Sequence, residues 1–472
     1  MSSDQPPIRR RDAWRHQLAA YHYAKDRPAT MLALGMGTGK TKVALDLVQN
    51  SDARTVLVLC PVSVLEVWRD QFAQHMERMF AEIKILDRGT AGWKAAEASH
   101  FLAKESVGPR LLVISYDSAR MPAFASWALK QSWDWVILDE SHRIKQASGK
   151  TSRFCARLAD KARRRLCLTG TPMPHSPLDI FAQYRFLDRR IFGYYYTQFR
   201  SRYAVTDRMF PSKVLRWINQ DELSQKVARI AYRVGSDVLD LPPLLKVNLP
   251  VALSSSAMRT YRELRDELVT EMRASDGTVT VTVDNALVKL LRLQQIASGN
   301  VSIGGDSVHM IDSGKTIALE EFLLDLDRTE KVVVFCRFVS DLSAVRRVAE
   351  SLGRNYGELS GRHNDLIGGR LPSEAQVFAV QIQAGGLGVD LSAASYCVYY
   401  TLGYSLGDYE QSLARLHRPG QKKSVRAYHL IATGTVDEDV IRALDHKREV
   451  VDFVLRKLKG EYEHIRQDAV RA

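Results

Sequence analysis

The segment GMGTGKT (35–41) follows the apolar run ATMLAL and precedes KVALDLVQN. A strand, a glycine-rich loop and a helix, in that order, make a phosphate cradle. Gly35, Gly37 and Gly39 let the loop backbone, with Met36 and Thr38, converge its N–H groups on phosphate oxygens. The N-terminus of the following helix adds partial positive charge. Lys40 is placed to hold β- and γ-phosphates, and Thr41 to hold Mg²⁺. Leu34 stands where the strict GxxxxGK[ST] pattern has its first glycine. Alone, such a turn would equally cap a helix.

DESH (139–142) ends the run WVIL. A carboxylate at the end of a buried strand beside a phosphate loop can hold Mg²⁺ through water. On that reading Asp139 is the metal residue, and Glu140 orients and deprotonates the attacking water. In isolation the same acids would serve as a helix N-cap. LTGTP (168–172) follows another apolar run and brings only hydroxyls, so a plain Thr/Gly/Pro turn explains it as well.

Far along the chain stand QAGGLGVDLSAAS (383–395) and QSLARLHRPGQ (411–421). Arg415 and Arg418 are three residues apart, a spacing that shares one helical face. Two such guanidiniums suit arginine fingers, or a plain anion patch.

These groups need a scaffold. Short β-branched or Leu-rich runs, TVLVLC (55–60), LLVIS (111–115), WVILD (135–139), LCLTG (166–170), KVVVFC (331–336) and CVYYT (397–401), alternate with charged stretches of helical period. That alternation predicts βαβ units and parallel sheets. The rhythm appears twice, in about 29–175 and about 312–440, with an Arg- and aromatic-rich region between and a hinge near 240–250.

Composition agrees. A chain of 472 residues holds two or three domains. Hydrophobic residues at 45% and charged residues at 26% are globular values, which exclude fibrous and disordered classes. Lys and Arg number 67 against 54 Asp and Glu, a net charge of +13 that favours a polyanionic partner. The five cysteines are scattered without a CxxC pair, which points to a reducing compartment and away from structural zinc. The most apolar stretch, 393–402, is half of a membrane span, and MSSDQPPIRRRDAW has no apolar core of a secretory signal.

Taken together, the motifs resemble the SNF2 branch of superfamily 2 helicase-like ATPases, in order over nearly the whole chain. Gln17 in AWRHQLAAY matches the adenine-reading motif. CPVSVLEVW (60–68), ISYDS (114–118), VVVFCRF (332–338) and GGLGVDL (385–391) are similar to motifs Ia, Ib, IV and V. YRVGSDVLDLPP (232–243), LRLQQIASG (291–299) and HLIATGTVDEDV (429–440) fit this branch. His175 replaces the usual Asn, Ser236 a common Lys, and TLGYSLGDYEQ lacks the usual Trp-Asn-Pro.

The resemblance implies an α/β fold of two RecA-like lobes with parallel sheets and a helical insertion. The expected division is lobe 1 at 1–175, a helical basic-aromatic protrusion and hinge at 176–245, a helical lead-in at 246–310, and lobe 2 with a helical tail at 311–472. ATP and Mg²⁺ are the implied cofactors. Gly388 and Asp390 join the nucleotide residues. Ser63, Ser115 and Arg337 become backbone contacts to nucleic acid.

The stretch 185–217 holds eight basic residues, among them Arg200, Arg202 and Arg208, against two acids. It is expected to follow DNA phosphates. Its interleaved aromatics either stack on bases or pack a small core. The run KARRR (161–165) reads as a solvated helix end rather than a nuclear signal. The expected protein is a minimal prokaryotic or phage-type motor in the bacterial cytoplasm. It translocates on double-stranded or branched DNA with low sequence specificity, with room for replication or recombination partners and no membrane. A strand-separating DNA or RNA helicase is the rival enzyme. A slow nucleotide-switched recruiter is the rival of another class, its guanine version disfavoured by the lack of NKxD.

Overall fold

The computed structural model describes residues 13–76, 81–207, 214–274, 283–302, 308–383 and 389–471. It divides into two compact units, Met1–Leu239 with Lys447–Ala472, and Asp240–His446.

In the first unit the apolar runs become β1 (Ala29–Leu34), β2 (Thr55–Cys60), β3 (Glu82–Leu86), β4 (Arg110–Ser115), β5 (Trp133–Asp139) and β6 (Ala162–Leu168). β1 is buried along its whole length, and β2, β4 and β5 nearly so. Continuous burial on both strand faces is what parallel strands under helices require. β7 (Ala204–Thr206) and β8 (Val214–Trp217) form a separate antiparallel pair. β9 (Ala231–Val234) returns to β1. The seven-stranded sheet runs β3-β4-β2-β5-β6-β1-β9, and every pairing is parallel.

The second unit carries β10 (Leu244–Val251), β11 (Asn300–Ser302), β12 (Val308–Met310), β13 (Val332–Cys336), β14 (Tyr356–Leu359), β15 (Val377–Gln381), β16 (Tyr396–Tyr399) and β17 (Val425–Ala432). Its six-stranded parallel sheet has the order β10-β17-β16-β13-β15-β14. β11 and β12 pair antiparallel beside it.

The structure apportions the chain differently from the sequence reading at two places. Residues 176–239 are part of the first unit, because β9 closes its sheet and the insertion's aromatics enter its core. Phe181, Tyr184, Phe186, Phe192, Phe199 and Tyr203 are all buried there, while Tyr194 and Tyr195 remain exposed. The long helix Val436–Arg471 starts in the second unit and ends in the first. Val454 and Leu455 are buried in the first core, and the Val454 carbonyl accepts from Ser224 Oγ at 2.6 Å. Arg233 pairs with Asp452 at 2.9 Å.

The basic run at 161–165 is a local correction. Arg163, Arg164 and Arg165 open strand β6 and do not end a helix. Arg163 pairs with Asp52, and Arg164 lies over the Trp135 ring. Strand pairing with β5 and β1 outcompetes the helical preference of this run.

A chain cut after His446 is expected to melt in its first unit at clearly lower temperature. Loss of two buried aliphatic side chains alone costs about 3–6 kcal/mol. Differential scanning calorimetry of the shortened and full chains checks this, and an unchanged first-unit transition would contradict it.

Candidate active site

β5, β6 and β1 are neighbours in the first sheet, so the segments that leave their C-terminal ends meet along one edge. Asp139 is opposite Leu168, and Leu32 is opposite Leu168 on the other side. The Thr169 N–H donates to the Leu32 carbonyl at 3.2 Å. Open parallel sheets put their ligand sites at this edge.

The phosphate loop turns through Gly37 and Gly39, whose φ values are 78° and 85°. Gly39 is the N-cap of the helix Lys40–Gln49. A Cβ at Gly39 would sit 2.2 Å from Gln17 Nε2, so both the left-handed backbone and the close approach demand glycine. Thr38 Oγ1 donates to the Gly35 carbonyl at 2.7 Å and tightens the loop. Lys40 Nζ donates to the Leu34 carbonyl at 3.3 Å, which holds the ammonium at the strand end beside the loop. Thr41 is the second residue of the helix.

Asp139 is 4% exposed. One carboxylate oxygen accepts from Trp68 Nε1 at 2.9 Å, and the other from the Glu140 N–H at 2.9 Å. Its carbonyl accepts from the Tyr116 hydroxyl at 2.8 Å. Burial, and then the charge of Glu140, push the Asp139 pKa up, while Lys40 pulls it down. A carboxylate in that state is stabilised by an added cation. Mg²⁺ takes one or two carboxylates plus substrate phosphates, and the buried Asp139 is a carboxylate of that kind.

Glu140 has φ 49°, one of two non-glycine residues with positive φ among the described residues. Such a backbone costs about 1–3 kcal/mol and concentrates at functional sites. It turns the Glu140 side chain to within 3.3 Å of His142 Nδ1. His142 Nδ1 also lies 3.2 Å from Thr169 Oγ1, and Thr169 Oγ1 accepts from the Thr171 N–H at 3.1 Å. LTGTP therefore does more than turn the chain: its hydroxyl joins the acidic segment. Gly170 completes the approach, since a Cβ there would lie 3.3 Å from Met36.

Three residues outside the sequence reading's set are central to this geometry. Trp68 aligns Asp139. Gln183, fully buried, accepts from Ser141 Oγ at 2.7 Å and donates to the Pro172 carbonyl at 2.6 Å. His16 contacts the Thr38 carbonyl at 2.9 Å, next to Gln17 Nε2 at 3.0 Å. Only tertiary contact marks them, because the partners named here are 11 to 71 residues away in the chain.

In the second unit, the Asp390 N–H donates to the Gly369 carbonyl, and Asp390 Oδ1 accepts from Ser392 Oγ at 2.7 Å. Hydrogen bonds to Ser392 and the charges of Arg418 and Arg370 hold the Asp390 pKa down against burial, which raises it. Arg418 Nη1 donates to the Val389 carbonyl at 3.2 Å and is 3.9 Å from Asp390 Oδ1. The Leu391 N–H donates to the Arg415 carbonyl at 3.0 Å. Both arginines thus adjoin the Asp390 segment. They do not share a helix, however. The helix Leu406–Leu413 closes before Arg415, and the chain continues in turns. Pro419 disfavours helical backbone at Arg418. Ser405, standing in the segment without Trp-Asn-Pro, caps that helix by accepting from the Asp408 N–H. Gly388 lies outside the described residues.

The expected nucleic-acid contacts differ in their surroundings. Ser63 is exposed beside exposed Val62. Ser115 is buried and spends its hydroxyl capping Tyr116–Ala119. Arg337 is half-buried, stacked on Phe338, with its guanidinium against Gly403; burial holds its pKa down. Arg202 is engaged by Glu222 through Nε at 3.0 Å and Nη2 at 2.7 Å. Arg200 lies two residues earlier on the helix Tyr196–Tyr203, pointing to a different side. Arg208 lies outside the described residues.

Two parallel-sheet units, the first with a glycine phosphate loop and an Asp-Glu pair at its strand ends, define the pair of RecA-like lobes of superfamily 2 ATPases. Residues 16–300 match the SNF2-related domain, and residues 314–420 match the helicase conserved C-terminal domain. The chain belongs to the SNF2-related family. It is 26% identical over 447 residues to the human DNA annealing helicase and endonuclease ZRANB3, covering 91% of this chain and 39% of that one. An uncharacterized ATP-dependent helicase of Mycoplasma genitalium is 24% identical over 443 residues, covering 90% of this chain and 40% of that one. The chain thus spans about two fifths of the length of these relatives. The Sulfolobus solfataricus SWI2/SNF2 ATPase core in complex with dsDNA is 20% identical with a TM-score of 0.45, covering 96% of this chain and 94% of that one. Among the described residues, no helix is long and apolar enough to cross a membrane.

Proposed function

We propose that this chain is a DNA-stimulated ATPase motor that translocates on double-stranded or branched DNA with low sequence specificity. The observation that carries the reading is the buried Asp139–Glu140 pair at the end of β5, beside the Lys40 loop, in a member of the SNF2-related family.

In this reading the loop 35–41 binds the phosphates of ATP, Lys40 neutralises their charge, and Gln17 reads the adenine. Bound Mg²⁺, held by Thr41 and through water by Asp139, supplies further neutralisation of phosphate charge. Trp68 keeps the Asp139 carboxylate oriented. Glu140 orients the attacking water and takes its proton, with the His142 ring 3.3 Å from its carboxylate. Arg415 and Arg418 neutralise charge on the transferred phosphoryl group. Asp390 holds Arg418 ready through a long, half-exposed contact of 3.9 Å that is cheap to break.

The net charge of +13 supports a polyanionic track, and contacts to phosphates carry no base code. Human ZRANB3 is described as a DNA annealing helicase and endonuclease, and a Danio rerio RAD54-like relative, 23% identical over 474 residues, as a DNA repair and recombination protein. Both descriptions favour DNA over RNA as the track. Replication or recombination proteins as partners belong to the same reading.

Steady-state ATPase assays with duplex DNA, single-stranded DNA and RNA test it. Stimulation by duplex DNA is expected, with affinity falling steeply as salt rises, through counterion release. Displacement of a third strand from a triplex, with poor separation of a forked duplex, is the translocase result. Efficient fork unwinding without triplex displacement would establish the strand-separating helicase instead. Stimulation by RNA alone would remove the DNA reading.

A further inference from the structure

Two consecutive side chains, His16 and Gln17, grip one carbonyl of the phosphate loop. His16 Nε2 is 2.9 Å from Thr38 O, and Gln17 Nε2 donates to the same oxygen at 3.0 Å. Both residues are nearly buried, at 5% and 4% exposure. They lie on the first turn of the helix Arg15–Ala24, so their backbones are tied to one rigid element. The held peptide is critical. It joins Thr38 to Gly39, and Gly39 is the N-cap that aims the helix Lys40–Gln49 at the phosphates.

The two grips differ in what else they can do. Gln17 has both amide atoms engaged: Nε2 with Thr38 O, and Oε1 with the Trp14 N–H at 3.0 Å. Each amide atom has a second hydrogen-bonding site, but turning the carboxamide so that its donor and acceptor face an adenine swings both atoms off those partners. Thr38 O would then lose one of its two side-chain donors at the moment the loop must hold phosphate. His16 has no such second duty. Its ring is backed by Trp14, with ring centroids 5.5 Å apart. Burial holds its pKa below the usual histidine value, which keeps the ring neutral, and the carbonyl acceptor selects the tautomer with hydrogen on Nε2.

We propose that His16 is a positioning residue, the lasting clamp on the phosphate loop, while Gln17 is the exchangeable one that leaves Thr38 O to read the base. This rests on the nucleotide-site reading above. The proposal separates two properties that a single clamp would merge. His16 acts on the loop and so on every nucleoside triphosphate alike. Gln17 acts on the base and so on the choice between ATP and GTP.

The test compares His16→Phe, His16→Gln and Gln17→Ala in the full chain, with steady-state ATPase and GTPase kinetics and thermal melting of each. Loss of one hydrogen bond of this kind is worth roughly tenfold in binding. His16→Phe is expected to raise KM for ATP and GTP by the same factor, about tenfold, with kcat little changed. His16→Gln, which restores a donor, is expected to recover most of that loss. Gln17→Ala is expected to shift the ATP/GTP preference. The proposal is overturned if His16→Phe leaves KM unchanged. It is also overturned if His16→Gln is as poor as His16→Phe at equal melting temperature, or if His16→Phe shifts the ATP/GTP ratio as Gln17→Ala does. Titration of Lys40→Ala with a fluorescent ATP analogue separates the two levels. Undiminished binding there overturns the nucleotide site itself, whereas lost binding with a silent His16→Phe overturns only the clamp.

Discussion

Glu140→Gln is expected to bind ATP as well as the parent chain and to hydrolyse it about 10²- to 10⁴-fold more slowly, the range a general base contributes. The substitution is nearly isosteric, so the left-handed backbone at φ 49° and the packing around it are retained. What is lost is the proton acceptor and one negative charge. Removing that charge relieves Asp139, whose pKa it raises, so metal and nucleotide affinity are expected to hold or improve. Equilibrium titration with a fluorescent nucleotide, beside phosphate-release kinetics on the same sample, measures both halves. Near-parental turnover would reassign the base.

Arg418→Ala is expected to lower turnover by about 10³-fold or more while DNA affinity stays within a few-fold. Among the described residues the side chain is tied to the second unit by its bond to the Val389 carbonyl and the 3.9 Å approach to Asp390, and Asp390 keeps its bonds from Ser392, so its removal strands no buried charge there. Its energetic role therefore falls on the reaction rather than on folding. DNA binding by fluorescence anisotropy and ATPase rates with and without duplex discriminate the roles. Lost DNA affinity with an intact basal ATPase rate would make Arg418 a contact to the DNA track instead.

The local motifs were legible because their chemistry is local. GMGTGKT needs glycines at fixed offsets for its turn, and the structure gives Gly37 and Gly39 positive φ. The runs at 55–60, 111–115 and 135–139 are apolar along their length because parallel strands are buried on both faces, and each lies in a strand. The division between the two units falls at Leu239 and Asp240, just before the Pro pair at 242–243. The shared helical face expected for Arg415 and Arg418 does not form, because spacing says nothing of where a helix stops. The helix ends at Leu413.

By itself, then, the sequence determined the fold class, the family, and the glycine loop and Asp-Glu motif of the first unit. The fold class and the motifs depend on short-range periodicity or on residues within one turn of each other, and the family on the order of such motifs along the chain. Only the tertiary structure decided which distant groups serve those motifs. Trp68 reaches Asp139, Gln183 joins Ser141 to Pro172, and His16 grips Thr38. It also decided that the aromatics of the insertion are mostly core, that Arg202 is engaged by Glu222, and that the last helix returns to the first unit. The physical reason is that hydrogen bonds and apolar burial are indifferent to chain separation. A Trp indole or a His ring carries no local mark of the partner that folding will bring to it.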